Sequence, residues 1–583
     1  MREDVVAAVG TLFKLAAVVV LSIVAVGWTW AARRRECFPL RRQRRFGSLR
    51  RHRRDFGTKK RRERDDDDNS DDDDERWEEE EEKERPTVGV VLPVKGFSTA
   101  KRENWRTQLK TSYDGTVVFV FVVDKDTDEA KEAAERLIAE WQEEEEENVS
   151  QECRFLDDST TGDRNRRRRR RRRRRSARVV VSGSAETCSQ KIRQQLRGVE
   201  ELGALADNDD DDDHDYDGRR RSSSSRSRSR CPSRVDDDKR NEIKYVLFLD
   251  DDVMLYPSTI GSLVRAMEKD EKETGGNALL ATGYPLDFVG SASGTGKSSS
   301  CFANYMTMVY HLVLLIPFSH GKYTKNVWGG CMLFRLDEFL ANACKVKEAY
   351  ETGGYSDDLI VAAAADREKR SILCPGDALF PMPLNPKQTV RDFVNYFHRQ
   401  IFVNDTYSDR HMKFINHGML LAMFLSSLCL TVGTFASALD IIFWLFNSRE
   451  WLQTNSSIAT TKTNVPSLAF AVFFAHFLAV TRAKKMYASC VSLCERTATS
   501  AAQTTTPQIK TRRNSASKSI EPNAGRIARS GFNRTDWFKV WLAVCVVYAI
   551  APLQCAYIFF VSDEVVWSGI RYRKRRGKVL RVD

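Results

Sequence analysis

Three acids, Asp250, Asp251 and Asp252, follow directly on the apolar run Tyr245-Val246-Leu247-Phe248-Leu249. Adjacent carboxylates repel one another unless water, hydrogen bonds or a cation neutralises them. Spaced as D-x-D at a strand end, Asp250 and Asp252 can turn their oxygens to one side. Hard oxygen ligands placed there suit Mg²⁺ or Mn²⁺ bridging a diphosphate. The competing reading is that Asp251 and Asp252 cap the turn into a helix at Ser258. A second pair, Asp357 and Asp358, stands immediately before a helical stretch, Leu359 to Lys369. One carboxylate at a helix N-terminus is explained as a cap. The other is then available as a general base, and Asp358 is taken for that role with Asp357 as its neighbour or cap. A third cluster, Asp124, Asp126 and Asp128, closes another apolar run, Val117 to Val123. The glycine pairs Gly329-Gly330 and Gly353-Gly354 permit tight turns and close backbone approach.

Such acids need a scaffold that gathers strand ends, and the pattern between residues 86 and 415 supplies one. Strands are expected at Thr87 to Val94, Val117 to Val123, Arg178 to Val181 and Tyr245 to Leu249. Helical stretches alternate with them at Asn104 to Ser112, Glu129 to Glu140 and Cys188 to Leu202. Strands apolar on both faces, alternating with helices, indicate an α/β fold with a mostly parallel, Rossmann-like sheet covered on two sides. Ligands of such sheets collect at the carboxyl ends of the strands, where two of the aspartate clusters fall. The segment Phe302 to Phe318 reads either as an apolar acceptor-side or interfacial helix or as core packing.

Outside this pattern the 583-residue chain is divided by charge and hydropathy. Its 93 Lys plus Arg and 81 Asp plus Glu sit largely in blocks, among them Arg33 to Arg62, Asp65 to Glu84, Arg166 to Arg175 and Asp207 to Asp217. Blocks of this kind bury no apolar surface and read as solvated inserts. Leu15 to Ala32 is apolar and is followed at once by Arg33-Arg34-Arg35, the order of an uncleaved signal anchor rather than of a cleaved leader. Met419 to Phe446, Pro466 to Thr481 and Val540 to Val561 are further membrane segments by length and apolarity. The expected organisation is an anchor over 1–35, a charged linker over 36–85, and an α/β domain over 86–415 with disordered inserts at about 142–176 and 204–239. A membrane region over 416–583 follows, with a basic loop at 482–536. The positive-inside rule places the α/β domain in the cytosol. The basic tail Arg571 to Arg581 conflicts with three C-terminal crossings, and the segment holding Pro552 is the suspect for a re-entrant one. The 13 cysteines form no CxxC pair, which suits a reducing cytosolic face.

In chain order the motifs are "PVKG…NW", "VDKDTDEA", "TCSQKI", "VLFLDDDV", "TGYPLD", "VWGGCM" and "GGYSDDL". This set resembles the ceramide glucosyltransferases, particularly the plant-type branch, within the family-2-like inverting glycosyltransferases of GT-A fold. The resemblance covers roughly Thr87 to Tyr407 without the charged inserts, plus the membrane-spanning ends. It implies an integral membrane enzyme of the Golgi or endoplasmic reticulum, its catalytic domain facing the cytosol. The implied reaction moves glucose from UDP-glucose to the primary hydroxyl of ceramide with inversion, aided by a divalent metal at Asp250 and Asp252. The first family aspartate falls on Asp128, with Asp124 and Asp126 open because the usual Asp-Pro is missing; the second falls on Asp250 and the third, the base, on Asp358. Lys191 matches a donor-side lysine. The family's closing motif, Gln or Arg, two variable residues and Arg-Trp, corresponds to "YFHRQ", which keeps Arg399 but has Tyr396 and Gln400 at its ends.

Rival readings are a related transferase acting on a sterol or another lipid, a processive polysaccharide synthase, an inactive homologue, and a basic RNA-associated membrane protein. Arginine blocks bind phosphates without sequence information. Here they interrupt an α/β pattern, lack interleaved aromatics and neighbour acidic blocks, so no specific nucleic acid partner is expected.

Overall fold

The computed structural model describes residues 2–59, 85–156, 175–208, 242–289, 301–319, 321–453, 466–505 and 535–582. The apolar runs become β1 (Thr87–Pro93), β2 (Val117–Val123), β3 (Arg175–Val181) and β4 (Ile243–Leu249), all mutually parallel. They continue through β5 (Ala278–Thr282), β7 (Tyr323–Thr324), β8 (Cys331–Arg335) and β9 (Ser371–Leu373) into one eight-stranded sheet of order β3-β2-β1-β4-β8-β5-β9-β7. β6 (Tyr284–Phe288) pairs in parallel with β10 (Leu379–Pro383) in a separate two-stranded sheet. The expected parallel sheet is thus found in its first half. In the second half β8 runs antiparallel between β4 and β5, and β7 antiparallel to β9, so the sheet is mixed.

Helices cover both faces, as the doubly apolar strands require. On one side α2 (Thr99–Leu109), α3 (Glu129–Leu156) and α5 (Thr259–Thr274) bury Trp105, Leu137 and Leu263 against Phe119, Phe121 and Leu247. On the other, α4 (Gln190–Asn208) packs Ile192, Leu196 and Leu202 on Val91, Val120 and Phe248. Gly198 allows α4 this approach, since a Cβ there would meet Val91 Cγ1 at 2.4 Å. The helix that carries Lys191 is thereby seated directly on β1. α6 (Phe302–Leu314), α7 (Leu336–Leu340), α8 (Val346–Glu351), α9 (Asp357–Arg367) and α10 (Val390–Phe402) complete the α/β part.

Several expected boundaries move. α3 runs on through the acidic stretch Glu143 to Glu147, where a disordered insert was expected from residue 142, because Glu144 pairs with Arg106 and Lys110 of the neighbouring segment. α1 (Arg2–Lys59) likewise extends through the basic region expected as linker. The remainder of the polyarginine and Arg/Ser inserts lies outside the described residues.

Among the described residues four helices are long and apolar enough to cross a membrane: Val5–Glu36 within α1, parts of α11 (Arg410–Gln453) and α12 (Ser467–Thr505), and α13 (Trp537–Phe560). α1 packs along α11 and α12, with Gly433 against Ala17 and Lys14 paired to Asp440. It is tied to the α/β part by Trp28 Nε1, which donates to the Leu312 carbonyl at 2.9 Å. Both ends of α13 meet the α/β part: the Asp536 N–H donates to Tyr305 Oη of α6 at 3.3 Å, and Ser562 Oγ lies 3.4 Å from His398 Nε2 of α10. Between these ties Phe538, Leu553, Tyr557 and Phe560 are exposed. The region expected as membrane to its end closes instead on a three-stranded antiparallel sheet, β11 (Glu564–Trp567), β12 (Ile570–Arg575) and β13 (Lys578–Arg581).

Candidate active site

The carboxyl end of β4 delivers Asp250 into a crevice shared with the N-terminal turns of α4 and α9. Lys191 joins the two acidic motifs: its Nζ lies 2.8 Å from Asp250 Oδ1 and 3.0 Å from Asp357 Oδ2, and donates to the Gly329 carbonyl at 3.1 Å. Burial alone would lower the ammonium, but the carboxylates of Asp250 and Asp357 outweigh it and hold Lys191 above its ordinary value. Gln195, one turn along α4, donates to Asp357 Oδ2 at 2.7 Å. Gly329 is required by contact rather than by φ: a Cβ there would meet Asp357 Oδ1 at 2.5 Å. The backbone of the Asp250 turn is braced by Gln108 Nε2, which donates to the carbonyls of Asp250 at 2.8 Å and Val253 at 2.9 Å.

The two acids of α9 part company. Asp357 is absorbed by Lys191, Gln195 and the Asp358 N–H, which donates to its Oδ1 at 3.1 Å. Asp358 uses Oδ1 alone, accepting from the Ser356 hydroxyl and, at 2.8 Å, from the Leu359 N–H. Among the described residues Asp358 Oδ2 has no hydrogen-bond donor. Burial, reinforced by the charge of Asp357, pushes the Asp358 carboxyl up to about 6. Burial also raises Asp250 to about 6, with Asp252 and Asp357 adding to it and Lys191 opposing. Asp252 is raised by burial and by Asp251, while Lys191, Lys101 and Arg399 pull it down.

The helix-cap reading of the triple aspartate gives way to an ion pair, for Asp251 Oδ2 meets Lys101 Nζ at 2.9 Å and α5 starts only at Thr259. Among the described residues no group of three or more His, Cys, Asp or Glu side chains is arranged to hold a metal ion. Two adjoining carboxylates whose pKa values rise together do fit a hard cation that takes its other ligands from a bound diphosphate.

In the "DKDTD" cluster the three acids diverge. Asp124 is buried at the end of β2 and pairs with Lys95 at 3.1 Å. Asp128 Oδ1 accepts the N–H groups of Gly96 and Ala130, each at 2.8 Å, organising the loop after β1 and starting α3. Asp126 is 74% exposed and pairs with Lys131.

Arg399 on α10 stacks over the Tyr396 ring at 5.5 Å and over the Trp567 ring at 5.2 Å. Among the described residues Gln400 makes no side-chain hydrogen bond. His398, next to Arg399 on α10, faces α13, its Nδ1 lying 3.2 Å from Gln554 Oε1. Phe302 to Phe318 is mainly core: α6 buries Tyr305, Met306, Met308 and Leu312.

One arrangement escapes the sequence reading. His311 Nδ1 lies 2.7 Å from Asp287 Oδ2 and donates to the carboxylate, while Nε2 lies 2.6 Å from the Tyr396 hydroxyl. Asp287 lies in "TGYPLD", but nothing in the spacing joins it to residues 24 and 109 positions away. Tyr396→Phe is expected to orphan a buried Nε2 and destabilise the protein by about 1–3 kcal/mol. Thermal inactivation of the purified protein checks this, with an unchanged midpoint as the contrary result.

No protein-family model matches the chain, and no curated protein matches it. Among solved structures it is similar to the mannosyltransferase PcManGT from Pyrobaculum calidifontis in complex with GDP-Man and Mn²⁺, with 11% identity over 78% of this chain and 98% of that one and a TM-score of 0.29. It is also similar to residues 1–349 of S. aureus TarS in complex with UDP-GlcNAc, with 10% identity over 85% of this chain and 99% of that one and a TM-score of 0.26. Likeness at this level leaves the function to be argued from the site.

Proposed function

We propose that the chain is a membrane glucosyltransferase that moves glucose from UDP-glucose to the primary hydroxyl of ceramide with inversion. The observation that carries the reading is the Lys191 bridge between Asp250 and Asp357, which sets Asp358 beside a donor-side acid cluster. Asp358 Oδ2 takes the proton of the attacking hydroxyl. As that oxygen bonds to the anomeric carbon from one face, the bond to the β-phosphate oxygen breaks on the other and UDP departs. Arg399, held over the Tyr396 and Trp567 rings, supplies positive charge toward the leaving diphosphate. A divalent cation held by Asp250 and Asp252 would neutralise further charge on the same group. Asp124, beside Lys95 at the end of β2, is assigned to the nucleoside side, with Asp128 shaping the loop next to it.

The apolar helices suit an acceptor that stays in the bilayer. We assign three crossings, in α1, α11 and α12, and place α13 in the membrane surface with its aromatic residues in the lipid. This puts Arg33–Arg35, Arg482–Lys485 and the tail Arg571–Arg581 on one side, and so removes the charge conflict.

Because the Asp358 carboxyl is pushed up to about 6 and acts ionised, kcat/KM is expected to rise with pH through about 6. Below that limb it should fall by about tenfold per pH unit. A profile flat from pH 5 to 8 would contradict the assignment. An acceptor panel of ceramide, sterol and diacylglycerol in membranes containing the protein tests the substrate. Label entering only sterol would keep the chemistry and overturn ceramide.

A further inference from the structure

The last strands of the chain reach three of the elements that carry the site: α4, the loop before α9, and α10. In β11, Trp567 lies 5.2 Å from the Arg399 guanidinium and edge-on to Tyr355 at 5.9 Å, in the loop that leads to Asp357 and Asp358. In β12, Tyr572 packs on Tyr355 at 5.5 Å, and its hydroxyl accepts the Gln190 N–H at 3.0 Å, one residue before Lys191. The β13 side closes on the same loop: the Val579 N–H donates to the Gly353 carbonyl at 3.2 Å. Gly353 has φ +99°, and a Cβ there would meet Lys578 Cβ at 2.7 Å. The Tyr407 N–H donates to the Gly577 carbonyl at 2.8 Å, and Lys574 pairs with Asp405 just beyond α10.

Three strands of four to six residues have little core of their own. Val565, Ile570, Tyr572 and Val579 are instead buried in the cluster that contains Tyr355, Phe397 and Phe402. The sheet is therefore held by the catalytic elements and holds them.

We propose that this C-terminal sheet is a positioning element of the active site, with Trp567 fixing the Arg399 guanidinium against the donor diphosphate. The inference rests on the glucosyl-transfer reading for the role of Arg399. An arginine side chain has many rotamers, and packing over two aromatic rings leaves it few. The sheet follows α13 after three residues, so the site is completed only once the last apolar helix has docked.

The test uses the full-length protein in detergent and measures UDP affinity with Mn²⁺ by titration calorimetry, alongside KM and kcat for UDP-glucose. Trp567→Leu keeps apolar bulk without a ring face and is expected to weaken UDP binding by about 3- to 30-fold, while Trp567→Phe stays near the parent. In an Arg399→Ala background Trp567→Leu should have no further effect, since its role passes through Arg399. Val566→Ala, on the exposed face of β11, should match the parent. Parent-like UDP affinity in Trp567→Leu, or an equal loss with and without Arg399, would overturn the inference. A parent that binds UDP with this mutational pattern but transfers no glucose to ceramide would sustain it and sink the acceptor assignment instead.

Discussion

Asp358→Asn is expected to slow glucosyl transfer by about 100- to 10,000-fold while leaving UDP-glucose affinity close to the parent's. The substitution is isosteric, and its amide oxygen can still accept from the Ser356 hydroxyl and the Leu359 N–H. Folding at the start of α9 is therefore preserved. What is lost is the basicity of an oxygen that no other described group engages, in a carboxyl already pushed up to about 6. A carboxyl with that value is ionised at neutral pH yet basic enough to receive a proton from an alcohol as its bond to carbon forms. Asp357→Asn disturbs a different set of contacts, those to Lys191 and Gln195, and should weaken structure and binding together. Initial rates and donor binding measured on the same preparations separate the two. A loss of less than about threefold in Asp358→Asn would remove it from the role of base.

The second large effect is expected at Lys191. Its side chain is only 14% exposed and neutralises Asp250 and Asp357 at once. Lys191→Met keeps the stem and removes the charge, leaving two crowded carboxylates in a buried crevice. Stripping one partner from a buried ion pair costs about 3–5 kcal/mol. The deficit has a direction in pH. Without the ammonium the Asp250 carboxyl rises further above its unfolded value, so the variant's stability is retained at low pH and lost as pH increases through that folded pKa. The deficit relative to the parent is thus largest at neutral pH and shrinks below about 6, where Asp250 in the parent also protonates. Thermal inactivation at pH 5 and pH 7.5 measures it. An equal deficit at both values would show that Lys191 contributes packing rather than charge.

How far the sequence revealed this site depends on the kind of signal each residue carries. β1, β2 and β4 are continuous apolar runs closed by acids, and period and burial together fix both their place in the sheet and the crevice at their ends. The acidic motifs at Asp250 and at Asp357–Asp358 were legible for the same reason, since clustered carboxylates need a partner. That partner was legible only through the family resemblance, which matched Lys191 to a donor-side lysine. Its pairing with both acids comes from the seating of α4 on β1 through Gly198, a tertiary contact without local signature. His311 and Asp287 were hidden likewise, because α6 reads as an apolar helix and its one buried imidazole finds its carboxylate across a loop. The antiparallel β8 could not be told from a parallel strand, as both are buried on two faces. The basic tail was read only as charge. Its alternation of buried Ile570 and Tyr572 with exposed Arg571 and Arg573 is a strand pattern, and it places Trp567 against Arg399.

The most direct test of the central claim is an assay on membranes expressing the chain, supplied with radiolabelled UDP-glucose, fluorescent ceramide and Mn²⁺, run beside Asp250→Asn and Asp358→Asn. The parent is expected to give β-linked glucosylceramide, with a loss of at least about 100-fold in each variant. Transfer by the parent that survives in both variants, or no transfer to ceramide by a parent shown to bind UDP, would contradict it.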